Sequence, residues 1–138
     1  MKDRKRLYTK IAKKYGATFC GYHEDCPANA GASAGREIYL GKFDDPDIEL
    51  IAFFHELGHA CRKNLLKTIY SLSTLSNEGF AWEYGLHLAM LEGFSWEFES
   101  KEMEWARGRL RTYVHCEGDG TEECDRATQD SNREVTYG

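Results

Sequence analysis

Apolar residues recur at helical spacing in four stretches of this chain, and β-favouring side chains cluster in two shorter ones. Leu7, Tyr8, Ile11, Ala12 and Tyr15 lie among lysines and arginines, which predicts a helix over residues 5–15 that Gly16 closes. Residues 17–22 contribute Thr18, Phe19 and Tyr22, side chains that suit a pleated, half-buried surface, and residues 36–43 read as a second strand. Between them, residues 27–35 (Pro-Ala-Asn-Ala-Gly-Ala-Ser-Ala-Gly) offer no core-forming side chain. They are expected to be a plain connector, with a mobile flap beside a site as the functional alternative.

Asp44-Asp45-Pro46 is a helix start: Asp45 as N-cap, Pro46 at the first helical position and acids in the first turn. The helix runs to about Lys63 and buries Ile48, Ile51, Phe54, Leu57 and Cys61 along a stripe. Residues 64–76 are mixed, part helical and part Ser/Thr-rich loop. Ser76 or Asn77 then caps a helix to about Leu91, closed by Gly93. A last helix over residues 95–114 aligns Phe98, Met103, Ala106, Leu110 and Tyr113. The pattern is α+β: an N-terminal helix, a short sheet and three further helices. We expect one domain over residues 1–116.

Composition refines this picture at the two ends. Residues 1–14 carry seven basic residues against Asp3, which suits a solvated helix face, and residues 117–138 are acidic and without periodicity, which predicts a disordered tail. A net charge of −5 argues against nucleic acid as the main partner. No signal peptide and no apolar run long enough to span a membrane is visible. The five cysteines form no Cys-x-x-Cys pair, so reduced thiols and a cytoplasmic location are expected.

The chemistry concentrates at His55-Glu56-Leu57-Gly58-His59. Two histidines four apart share a helix face and can converge on one metal ion, while a glutamate directly after the first can reach a metal-activated water. Gly58 costs about 1 kcal/mol of helix propensity relative to alanine, which is easier to explain if another backbone or a ligand comes close. Catalytic zinc takes a third protein ligand. The metzincin extension would need glycine at position 62 and histidine at 65, where Arg62 and Leu65 stand. A glutamate from the next helix is the other solution, and Glu78 and Glu83 are both available. Five helical steps turn the chain by ~500°, so both cannot face the same metal. Glu78 shares its face with Ala81, Trp82, Gly85 and Ala89, a packed face with small residues, and is favoured. Glu83 shares its face with His87 and remains the alternative. Cys20, His23 and Cys26, with His115, Cys116 or Cys124, are a looser second metal-site candidate against ordinary thiols.

Gly35-Arg36-Glu37-Ile38-Tyr39-Leu40, Phe53-Phe54-His55-Glu56-Leu57-Gly58-His59 and Glu78-Gly79-Phe80-Ala81-Trp82-Glu83-Tyr84-Gly85 together resemble the ImmA/IrrE group of zinc peptidases. The resemblance covers residues 5–92 and implies a small zincin-like domain, gluzincin-like in its ligands: zinc on His55, His59 and Glu78, with Glu56 as general base. It implies hydrolysis of a protein or peptide substrate by a zinc-activated water. Tyr70, Tyr84, His87 and Tyr113 are the candidate donors for the oxyanion. Residues 37–43 are expected to hold an extended peptide by strand addition. The competing reading is a non-catalytic, zinc-stabilised protein-binding module.

Overall fold

Asp45 sets the central helix. Its side chain accepts the Asp47 amide at 2.9 Å and its carbonyl accepts the Glu49 amide at 3.0 Å, so the chain turns into helix at Pro46. Lys101 reaches Asp45 at 2.8 Å and helps hold its carboxyl below the usual range. The computed structural model describes residues 2–66, 74–119 and 135–137. Within them lie helices α1 (Lys2–Lys14), α2 (Pro46–Leu66), α3 (Thr74–Leu91) and α4 (Lys101–Asp119), and strands β1 (Thr18–Tyr22), β2 (Gly31–Ala34), β3 (Glu37–Leu40) and β4 (Val135–Tyr137). This is an α+β fold.

Helix α2 was expected to bury one stripe. Instead every residue from Glu49 to Cys61 is buried. The sheet covers one side of it, and α3 and α4 cover the other. A helix enclosed on all sides tolerates apolar residues all round, which is why Ala52, Phe53 and Ala60 are fully buried beside Ile51, Phe54 and Leu57. Helix α1 docks its Tyr8–Ile11–Ala12 face, and Tyr8 stacks on Phe53 with ring centres 4.3 Å apart. The Tyr8 and Tyr22 hydroxyls each donate to Glu49 Oε1 at 2.9 Å, giving that buried carboxylate its partners.

The sheet order is β1-β3-β2-β4. Strand β1 runs parallel to β3, and β2 is antiparallel to both β3 and β4. Residues 27–35 are therefore not a plain connector, because their second half is β2. Ala34 pairs with Glu37 across the two-residue turn Gly35-Arg36, and Gly35 adopts φ 61°, the conformation that turn needs at its first central position. Ile38 and Leu40 face α2, and their cross-strand partners Ser33 and Gly31 share that face.

The other boundaries moved for local reasons. Helix α4 begins at Lys101, later than expected, because Ser100 caps it: its Oγ accepts the Met103 amide at 3.2 Å. Helix α3 begins at Thr74, so Asn77 is inside the helix and Glu78 lies beyond its first turn. In the expected acidic tail, Glu117–Asp119 continue α4, and Val135–Tyr137 form β4, whose backbone pairs with the edge of β2 that β3 leaves free. Residues 120–134 lie outside the described residues, as do 67–73 with Tyr70. Among the described residues no helix is long and apolar enough to cross a membrane.

Candidate metal centre

Glycine brings the two site-bearing helices together. A Cβ at Gly58 would lie 2.1 Å from the Ala81 carbonyl oxygen, and one at Gly85 would lie 2.2 Å from that of Phe54. Helices α2 and α3 thus cross almost backbone to backbone, as the placement of Gly58 in the sequence suggested. Ala81 and Ala89 are fully buried along the same face of α3. This close crossing presents Glu78 to the histidines one helix away.

The donor atoms of His55, His59 and Glu78 all lie within 4.8 Å of one another. Glu78 Oε2 is 2.9 Å from His55 Nε2, and Glu78 Oε1 is 3.1 Å from His59 Nε2. All three residues are buried, at 1% exposure or less. Although the atoms are close, none of these nitrogens and oxygens completes a hydrogen bond among the described residues. Buried polar atoms left in that state cost stability, on the order of 1–3 kcal/mol each. Lone pairs that converge on one small volume instead of on each other are the arrangement a cation satisfies. The buried His-His-Glu group could therefore bind a metal ion.

Electrostatics prepare the group for that role. Burial drives His55 down to about 4 against the pull of the Glu78 carboxylate, so its imidazole is neutral near pH 7, the form that ligates metal. Burial opposes ionisation of Glu78, but the neighbouring His59 and His55 outweigh it and hold its carboxyl well below the usual range. The Trp82 ring stacks on His55 with centres 4.0 Å apart and planes 20° apart, fixing the imidazole's orientation. Trp105 of α4 packs edge-on against Trp82 at 6.0 Å, and Arg109 lies over Trp105, near enough to bear on His55.

Glu56 is fully buried but stands apart from the converging three, with Oε2 3.9 Å from His55 Nε2. It points toward the sheet, where a Cβ on Gly31 would come within 2.8 Å of its Cγ. Only glycine on β2 lets Glu56 lie there. Cys26, in the loop after β1, is also close: its thiol is pushed up by burial and by the Glu56 charge.

The remaining sequence candidates separate cleanly. Glu83 is exposed on α3, away from the histidines, so Glu78 is the glutamate that meets them. Tyr84 packs against the main core and His87 is exposed, while Tyr113 is half-buried on α4. Cys20 and His23 are exposed, and among the described residues they form no donor cluster with Cys26. The side chains of His115 and Cys116, and all of Cys124, lie outside the described residues. Gly31 and Arg109 escaped the sequence reading, and Trp82 entered it only as part of the face that carries Glu78, not as the partner of His55. A Gly-x pair two residues before a β-favouring run was the available signal for the hairpin that carries Gly31.

Comparison with protein-family models, curated proteins and solved structures finds no match to this chain.

Proposed function

We propose that this chain is a zincin-like, zinc-dependent peptidase, with His55, His59 and Glu78 as the metal ligands and Glu56 as the general base. The observation that carries this reading is Glu56. It is a buried carboxylate beside the three donors but outside their group, with Oε2 3.9 Å from His55 Nε2, where it can reach a water held on the metal. A structural zinc site would take four protein ligands, whereas three ligands and a neighbouring base suit hydrolysis. Zinc held there supplies Lewis acidity, polarising a peptide carbonyl and making water nucleophilic near neutral pH. Glu56 accepts the proton of the attacking water as the water oxygen bonds to the carbonyl carbon. It then returns that proton to the amine nitrogen as the C–N bond breaks. Trp82 keeps His55 in register throughout. The resemblance to the ImmA/IrrE group points the same way, and the reading carries with it a cytoplasmic setting and a protein or peptide as partner.

Strand addition on β3, as the sequence suggested, has no room. Strand β3 is paired on both edges, by β1 and β2. Beside Glu56 lies β2, whose second edge pairs with β4, so an extended substrate would pair there only in the place of β4. One observation favours the alternative, a zinc-stabilised binding module: all four site residues are closed off from solvent. Glu56→Gln separates the two readings. In the peptidase it retains zinc and fold while peptide hydrolysis falls by about 10²–10⁴-fold. Hydrolysis that survives this change would sink the peptidase reading.

A further inference from the structure

Strand β4 lies where a substrate would lie. Ala34 pairs with Val135, Ser33 with Thr136 and Ala32 with Tyr137, antiparallel, along the β2 edge that β3 leaves open. From Val135 to Tyr137 the chain therefore advances toward Gly31, the residue in contact range of Glu56. The other open edge of the sheet, on β1, is two strands further off, roughly 10 Å by strand spacing. Antiparallel pairing, an extended backbone and travel toward the general base are together the geometry of a peptide held for hydrolysis. A second observation points the same way. His55, Glu56, His59 and Glu78 are each at 1% exposure or less, so no carbonyl from outside reaches them until a covering element leaves. Strand β4 is lightly held. It is three residues long and pairs on one edge only, whereas α2, α3 and β3 carry the core. It belongs to the same chain as β2, so it meets that edge as an intramolecular segment.

We propose that Val135–Tyr137 is an intramolecular competitor, occupying on β2 the edge that an extended peptide must take and leaving when substrate binds. This rests on the peptidase reading for its consequence, and on the backbone pairing alone for the occupancy. The Gly-Ala-Ser-Ala side chains of β2 are all small, so recognition there falls to the main chain.

The test uses the full-length chain and its full-length double variant Val135→Pro/Thr136→Pro. Neighbouring residues of a strand direct their N–H groups to opposite edges, so replacing both removes a ladder donor whichever of them faces β2. The probe is a fluorescent synthetic peptide of residues 130–138, followed by anisotropy, with hydrolysis of an unstructured peptide measured in parallel on zinc-loaded protein. The double variant is expected to bind the probe at least tenfold more tightly than the unaltered chain and to hydrolyse peptide several-fold faster at low substrate, through a lower KM. Equal probe affinity in the two proteins overturns the proposal whether or not either is active. Tighter probe binding with an unchanged KM in active enzyme overturns the competition. Tighter probe binding with no hydrolysis by either protein supports the occupancy and strikes the peptidase reading alone.

Discussion

Gly58 and Gly85 form a reciprocal contact in which a Cβ on Gly58 would lie 2.9 Å from the Gly85 amide nitrogen. Alanine at Gly58 would recover about 1 kcal/mol of helix propensity, and overpacking against the α3 backbone costs about 1–3 kcal/mol. The clashing atoms are backbone on both sides, so the second effect wins. Gly58→Ala and Gly85→Ala should each lower stability in urea unfolding. Each should also weaken metal binding, because Glu78 reaches the histidines only across this crossing. Gly79→Ala, where a Cβ meets nothing within 4 Å, is the control and should not destabilise.

Metal uptake should depend on the three convergent residues and not on the nearby acid. His55→Ala and Glu78→Ala are expected to lose stoichiometric zinc by elemental analysis, and Glu83→Ala to keep it. A chelator should lower the Tm of the unaltered chain, since a ligand at a hundred times its Kd contributes about 2.7 kcal/mol to the folded state. A Tm unmoved by chelation in protein shown to contain zinc would remove His55, His59 and Glu78 from the role.

Trp82 should matter to the metal without touching it. Trp82→Leu keeps an apolar side chain against Ile51 but frees the His55 ring from its stacking partner. Outer partners of metal-binding histidines are worth about 10–100-fold in affinity or activity. We expect a fall in zinc affinity of about that size by competition with a chromophoric chelator, with the helical circular dichroism preserved.

Gly31→Ala should divide activity from metal binding. Its Cβ would press on Glu56 Cγ, and the contact with the carboxylate carbon, at 3.3 Å, is tight as well. Glu56 must then shift, while His55, His59 and Glu78 hold their places on α2 and α3. Zinc content should stay near that of the unaltered chain, and peptide hydrolysis should drop by one to two orders of magnitude, about the loss expected for a misplaced base.

Alkaline pH should unfold this protein through its tyrosines. The hydrogen bond to Glu92, with burial, pushes Tyr15 up to about 12, and burial together with the Glu49 carboxylate pushes Tyr8 and Tyr22 higher still. In the unfolded chain these phenols ionise near ~10. The folded state therefore holds protons that the unfolded state loses. The stabilisation is complete below about pH 10 and drains away as pH rises toward 12 and beyond. Urea midpoints should be flat to pH 9 and fall steadily above 10. Absorbance at 295 nm should show Tyr8, Tyr15 and Tyr22 ionising only with unfolding.

Much of the convergence of His55, His59 and Glu78 was legible in the sequence because it depends on angles within helices. The choice of Glu78 over Glu83 rests on their relative rotation, so Glu78 is the one beside the histidines although α3 begins at Thr74 and not at a cap near Ser76. Asp45 and Pro46 started α2 as expected for the same local reason. The sheet was harder to see. Gly31–Ala34 has no side chain that favours a strand; it is one because β3 pairs with it and Glu56 needs its glycine. The all-round burial of α2 is likewise a property of what packs on it, which periodicity along one helix does not record. Val135–Tyr137 is too short to show any period and sits in an acidic stretch whose composition argued the other way.

If the His-His-Glu group holds a metal, its enclosure against the helix at the centre of the core would join metal supply to protein quality. Without a cation, two carboxylates and two imidazoles share one dry volume at the axis of the fold, and the penalty falls on the whole domain. With a cation, the same atoms become a clamp between α2 and α3. On the proposed reading the folded fraction of this chain should follow the metal available while it folds, with copies made in scarcity left open to proteolysis.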